Sequence, residues 1–318
     1  MLRGIVPFLA NSRPTHMPPE KSATHNRREG SIGLIGLGLV GSALAKRLLS
    51  AGFQVHGWDI NPNQRQAAAQ AGVGIAPNAQ ELWQAAERIV LSLPDDSVVS
   101  DVVYAQRQHW RAGQCIIDTS TGSPESAGAL GKELARAQIE FLEATISGSS
   151  AQVESGEVLV MAGGPEATFA RCEDVLRAFA RRAVLVGPWG ASSKMKLVTN
   201  LVLGLNRAAL AEGLVLGSAL GLDPEQILTL LRESMAYSRI MDTKGAKMLR
   251  RDFSTQARLS QHLKDVRLMI ESAARHHTML PLTEAHRQLL EKAETLGLGE
   301  MDNSAILRAI EACSQITS

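Results

Sequence analysis

Chemistry is first suggested by a glycine-rich run, Gly36-Leu37-Gly38-Leu39-Val40-Gly41. A bare GxGxxG spacing is a weak signal. Here it follows a short apolar strand over 32–35 and precedes a helical periodicity over 40–51, the context in which such a loop binds a dinucleotide. Gly36 would permit the tight turn, Gly38 the close approach of a pyrophosphate, and Gly41 the packing of helix on sheet. The amides at the helix start, around Leu39 and Val40, would face the phosphates. A second strand over 54–60 carries Asp59, 18 residues past Gly41, close to the ~20 expected of the acid that binds the adenosine ribose. A carboxylate there accepts from both ribose hydroxyls and repels a 2′-phosphate. The nearest arginine is Arg65, so NAD is expected and NADP less so.

Reducing a carbonyl with such a cofactor requires hydride from the nicotinamide and a proton for the developing alkoxide. Lys196 stands near the start of a long predicted helix, with Asn200 four residues on and so on the same face. An ammonium at that place donates the proton and stabilises the oxyanion, and burial lowers its pKa toward a usable value. Lys194 is a competitor, but two residues away on a helix it points elsewhere. Ser147-Gly148 follows a predicted strand end, where a hydroxyl beside free backbone N–H groups suits a substrate carboxylate.

The elements that must position these groups alternate. Predicted strands at 32–35, 54–60, 88–93, 115–120, 139–145, 158–161 and 183–186 are separated by helical stretches. Helix starts are marked by Asn61-Pro62, Asp95 and Ser123-Pro124-Glu125. This is the pattern of a mostly parallel sheet covered on both faces. Beyond Gly190 strand signals stop, and helices are expected over about 192–220, from Asp223-Pro224-Glu225 onward, and over 256–277, 281–296 and 302–313. The fold class is therefore α/β. An N-terminal Rossmann domain (31–190) is joined by a long interdomain helix to a C-terminal all-helical domain (191–318) for substrate and dimerisation.

Several motifs in order make the chain resemble the β-hydroxyacid dehydrogenase family of 3-hydroxyisobutyrate dehydrogenases and of tartronate, glyoxylate and succinic semialdehyde reductases, related to 6-phosphogluconate dehydrogenase. They are the run from Gly33 to Gly41, Leu93-Pro94, Asp118-Thr119-Ser120-Thr121 with Pro124, Ser147-Gly148 with Gly156, Met161, Gly163 and Gly164, Lys196-Leu-Val-Thr-Asn200, and Lys264-Asp265. The resemblance covers about 31–310. It implies hydride transfer between NAD(P) and a small 3-hydroxy acid or its semialdehyde, with Lys196 as acid/base and Asn200 as orienter. It implies that Ser147, with Gly148 and Ser149, holds the substrate, that Leu93 and Pro94 line the cofactor, that Thr121 lies near nicotinamide and substrate, and that Lys264 closes over both. It also implies a homodimer or homotetramer formed through the helical region.

Two alternatives share the architecture. An imine reductase usually lacks the lysine and favours NADP. A non-catalytic dimeric dinucleotide-binding protein would have lost the lysine. Lys196 and Asp59 count against the first, and Lys196, Asn200 and Ser147 against the second. The chain departs from the family around the anion loop, Glu143-Ala-Thr-Ile-Ser-Gly-Ser149, where Thr145 and Ser149 replace the usual Pro and Gly, and at Thr199, often Asn. These changes are expected to reshape the substrate pocket.

Composition narrows the rest. The 318 residues suit two domains, with 45% hydrophobic residues, and 33 basic residues nearly balance 32 acidic ones. A net charge of +1 gives no reason to expect nucleic acid. Cys115, Cys172 and Cys313 show no metal spacing and read as reduced core thiols of a cytoplasmic enzyme. His276 and His277 lack ligand spacing, so no metal is expected. The apolar stretch 197–222 contains Asn200, Asn206, Arg207 and Glu212 and reads as a buried helix with a polar face, not a membrane span. Residues 1–30, rich in proline and arginine, read as a flexible tail.

Overall fold

A computed structural model describes residues 31–313. The expected tail lies outside them. In chain order the elements are β1 (Ser31–Ile35), α1 (Leu39–Ser50), β2 (Gln54–Trp58), α2 (Pro62–Gln70), β3 (Gly74–Ile75), α3 (Ala79–Ala85), β4 (Arg88–Leu91) and α4 (Asp96–Ala105). There follow β5 (Cys115–Asp118), α5 (Pro124–Arg136), β6 (Glu140–Ser147), α6 (Ser150–Ser155), β7 (Val158–Gly163), α7 (Glu166–Phe179) and β8 (Ala180–Gly187). Helices complete the chain: α8 (Ala191–Ala219), α9 (Pro224–Glu233), α10 (Ala246–Leu249), α11 (Leu259–Arg275), α12 (Pro281–Thr295) and α13 (Ile306–Cys313).

The sheet order is β3-β2-β1-β4-β5-β6-β7-β8. All pairs are parallel except β6 with β7, where Glu143 lies opposite Gly163. Connections reverse direction at β1, so a crevice opens between the loops after β1 and β4, where doubly wound sheets bind ligands. Alternation in the strands feeds two cores. Leu34, Val90, Ile117 and Leu142 pack with α1 and α7, while Ile35, Ile89, Leu91, Ile116 and Phe141 pack with Trp83, Val103 and Leu134 on the opposite face. The helix starts read from sequence are capped as expected: Asn61, Asp95, Ser123 and Asp223 each accept a first-turn amide.

Helix α8 is long and apolar enough, by length and composition, to cross a membrane. Its position is that of a core helix: it packs on β6, β7 and β8 and on α11, α12 and α13. Its polar stripe of Lys196, Asn200 and Arg207 is buried, while Val198 and Leu216 on other faces stand 58% and 60% exposed. The expectation of three core thiols holds for Cys115 and Cys172, whose Sγ atoms lie 3.3 Å apart. Cys313, near the end of the last described helix, is exposed.

Candidate active site

The glycine loop is built as its spacing requires. Gly36 has φ +93°, and a Cβ there would stand 2.2 Å from the Ser92 carbonyl oxygen. A Cβ on Gly41 would stand 1.9 Å from the Gly36 carbonyl oxygen, so this glycine lets helix α1 meet its own loop. Around Gly38 nothing lies within 4 Å of that position, and no side chain caps α1. The first-turn amides of Leu39, Val40 and Gly41 are thus left for an anion. Leu39 is exposed and Val40 half-buried.

Asp59 lies just beyond β2 rather than within it. Its Oδ2 accepts from the Leu37 amide at 2.7 Å and its Oδ1 from the Asn61 amide at 2.8 Å. The carboxylate therefore stiffens the glycine loop as well as facing the crevice, and each oxygen retains a lone pair. Arg65 folds back, its Nη1 donating to the carbonyl of Asp59 at 2.5 Å and of Ile60 at 3.2 Å.

Across the crevice, Leu93 and Pro94 follow β4. The Leu93 amide donates to Ser120 Oγ at 3.0 Å, and Thr119 Oγ1 donates to the Leu91 carbonyl at 2.7 Å, tying this loop to the one bearing half-buried Thr121. Helix α11 is fastened over both loops. Lys264 Nζ reaches Asp95 Oδ2 at 2.8 Å, and Arg275 Nη1 reaches Glu125 Oε2 at 3.1 Å. Asp95 is doubly used, since its other oxygen caps α4 through the Val98 amide at 3.0 Å.

Lys196 is buried and Lys194 exposed, as the two-residue offset on a helix predicts. The Lys196 ammonium donates to the carbonyl of Ile146, the residue before Ser147. Helix α8 is held in register for this by Glu143 on the same strand, which accepts from Gly190 N at the helix start and from Ser193 Oγ at 2.7 Å. A carboxylate at a helix N-terminus also complements the dipole. Asn200 Nδ2 donates to Asp265 Oδ2 at 3.1 Å. Burial lowers the Lys196 pKa, opposed by the Asp265 charge. Burial raises that of Asp265, opposed by Lys196 and then by the Asn200 hydrogen bond.

The two departures in the anion loop, Thr145 and Ser149, each have a structural partner. Thr145 lines a cavity together with Asp118, Glu143 and Ser193, and its buried hydroxyl meets Ser192 Oγ at 2.9 Å, stitching β6 to α8. Ser149 caps α6 in a capping box with Gln152 and is half-buried like Ser147, while Gly148 between them is exposed with φ +154°. Ser149-Ser150-Ala151-Gln152 carries that capping signal in the sequence itself. Asp265, noted in sequence only as part of the Lys264-Asp265 motif, and Asp95, noted only as a helix start, are functional candidates to which sequence reading gave no role at the site. Each sits next to a residue or motif it did single out, Lys264 and Leu93-Pro94.

Residues 31–187 match the NAD binding domain of 6-phosphogluconate dehydrogenase, and residues 190–310 match the NAD-binding domain of NADP-dependent 3-hydroxyisobutyrate dehydrogenase. The 2-(hydroxymethyl)glutarate dehydrogenase of Eubacterium barkeri is 32% identical over 290 residues, covering 90% of this chain and 96% of that protein. The L-threonate dehydrogenase of Cupriavidus necator is 32% identical over 283 residues, covering 87% and 95%. A crystal structure of 3-hydroxyisobutyrate dehydrogenase from Salmonella typhimurium superposes with a TM-score of 0.81 at 25% identity, covering 88% of this chain and 99% of that one. Both halves of the chain, the crevice and the junction helix thus lead to one place: the chain belongs to the β-hydroxyacid dehydrogenases and is an NAD(P)-dependent hydroxyacid dehydrogenase.

Proposed function

We propose that the chain interconverts a small 3-hydroxy acid and its semialdehyde, with NAD as the favoured dinucleotide and Lys196 as general acid/base. The observation that carries this is the buried Lys196 ammonium at the Ile146 carbonyl, one residue from Ser147, with Asn200 and Asp265 beside it. The nicotinamide, when bound, supplies or takes the hydride. Lys196 gives its proton to the carbonyl oxygen in reduction and takes it back in oxidation. Asn200, held by Asp265, orients that oxygen. Ser147 and the Gly148 amide receive the substrate carboxylate, and Thr121 borders the reacting carbon. The relative named for 2-(hydroxymethyl)glutarate supports this class, since that compound carries a hydroxymethyl group beside a carboxylate.

The glycine loop, Leu93 and Pro94 would hold the dinucleotide, with Lys264 closing over it. NAD is favoured because Asp59 faces the ribose end with a negative charge and Arg65 is engaged with backbone carbonyls. A panel of 3-hydroxy acids, each offered with NAD and with NADP and followed by absorbance of the reduced cofactor, tests the reading. NAD-linked oxidation of at least one is expected. Activity on none of them, or only with NADP, overturns it.

The assembly proposed is a homodimer or higher homo-oligomer. Met195, Val198, Val202 and Leu216 are exposed apolar side chains along α8, and a contiguous exposed apolar patch is a surface for a second copy to cover. A single monomeric boundary in sedimentation at micromolar concentration would refute it. The cytoplasm is the proposed setting, on the free cysteines and the balanced charge.

A further inference from the structure

The buried stripe of α8 does not end at the active site. One turn beyond Asn200 is Gly204, and two imidazoles converge on it: a Cβ there would stand 2.6 Å from His262 Nε2 and 2.8 Å from His286 Cε1. The rings are 5.2 Å apart, tilted at 49°. A further turn along the stripe is Arg207, 1% exposed. Four nitrogens of this cluster are buried without a hydrogen-bond partner: Arg207 Nε and Nη2, His262 Nε2 and His286 Nε2. They come from α8, α11 and α12, so three helices place unmet polar atoms together in the helical core.

The charge count there is also unequal. Arg207 remains a cation at neutral pH. The carboxylate acting on it is Asp302, but Asp302 is already engaged. Lys244 Nζ meets its two oxygens at 2.9 and 2.8 Å, and they also accept from the amides of Gln256, Ala257 and Ser304 and from Ser304 Oγ. Two buried cations therefore share one buried carboxylate. A buried guanidinium lacking partners is costly, and the cost disappears when an anion accepts from it. Each imidazole can present N–H at Nε2 in one tautomer.

We propose that Arg207, His262 and His286 form a buried site for one small monovalent anion of chloride size. One negative charge restores neutrality to the cluster, and the close packing of both rings over Gly204 favours a compact ion. His262 lies one turn from Asp265 on α11, so the occupant braces the helix pair that holds Asn200.

Two measurements on the full chain test this. Crystals soaked in sodium bromide should show an anomalous peak among the three side chains; a water-like feature without anomalous signal overturns the proposal. Replacing sodium gluconate by sodium chloride at constant ionic strength should raise Tm saturably, by about 3 °C at tenfold excess over Kd. Arg207→Met and His286→Asn should both abolish that rise. A chloride response unchanged in the variants overturns the assignment. The bromide result stands alone should either variant fail to fold.

Discussion

The carbonyl oxygen of Ile146 accepts a hydrogen bond from the Lys196 ammonium, joining two residues 50 apart in sequence. The contact fixes the amine beside the strand end that bears Ser147, and it depends on Glu143 anchoring α8 three residues earlier on the same strand. The proton donor and the proposed carboxylate site are thereby positioned by one strand.

Replacing Lys196 by Met keeps the length of the side chain and removes the proton donor. Turnover should fall by roughly 10²–10⁴-fold, the usual contribution of a general acid/base. Cofactor binding, followed by quenching of tryptophan fluorescence, should stay within about twofold, since the glycine loop and Asp59 are untouched. Near-normal turnover in Lys196→Met would remove the catalytic assignment.

Asp265→Asn tests the electrostatic half of the arrangement. The Asn200 amide still finds an oxygen acceptor, but the negative charge that favours protonated Lys196 is gone. Burial alone then acts, so the Lys196 pKa falls further. Hydroxy acid oxidation needs the neutral amine, and its rate rises with pH through that pKa. The rising limb of the kcat profile should therefore lie below pH ~10.5 in the parent, and at still lower pH in Asp265→Asn. A limb that moves upward, or not at all, contradicts the charge coupling.

The parts of this site legible in sequence are those built from local spacing. Gly36, Gly38 and Gly41 lie within one turn and helix start, and the four-residue step from Lys196 to Asn200 places both on one helix face. Strand β3 is only Gly74–Ile75, too short for periodicity to register. Asp265 meets Asn200 across 65 residues and Lys264 meets Asp95 across 169, contacts that exist only once α11 has docked over the sheet edge. Arg207 was visible as a charge in an apolar stretch, but its burial is decided by α11 and α12, which the α8 sequence does not encode. Thr145 lies inside β6, and its partner in space, Ser192, is 47 residues away in sequence, so the contact was not legible from local spacing.

The Lys264–Asp95 pair spans the two domains, with side chains 50% and 25% exposed. Exposed pairs contribute little to stability, so its effect should be on closure over the cofactor. Asp95→Asn keeps the α4 cap and removes the charge. Together with Lys264→Met in a double-mutant cycle, a coupling of about 0.5–1 kcal/mol is expected, or roughly two- to fivefold in cofactor KM. It should shrink at high salt, while Tm moves by no more than about 2 °C. Additive single mutants would show that the pair does not act as a clasp.

The histidine cluster sets an acid limit on the fold. Burial, and then the Arg207 charge, push His286 down to about 4, and burial, Arg207, His286 and Lys196 push His262 well below its usual range. Each imidazole is neutral in the folded chain and takes up a proton on unfolding near pH ~6.5. The unfolded state thus binds more protons below that pH, and stability falls as pH drops from about 6.5 toward 4. For His286 alone the loss is about 2 kcal/mol at pH 5. Denaturant unfolding in gluconate buffers should give a stability that declines over this window in the parent and declines less in His286→Asn. A bound anion favours the imidazolium, so chloride should flatten the parent's decline. An equal slope in parent and variant would show that His286 does not govern the acid limit.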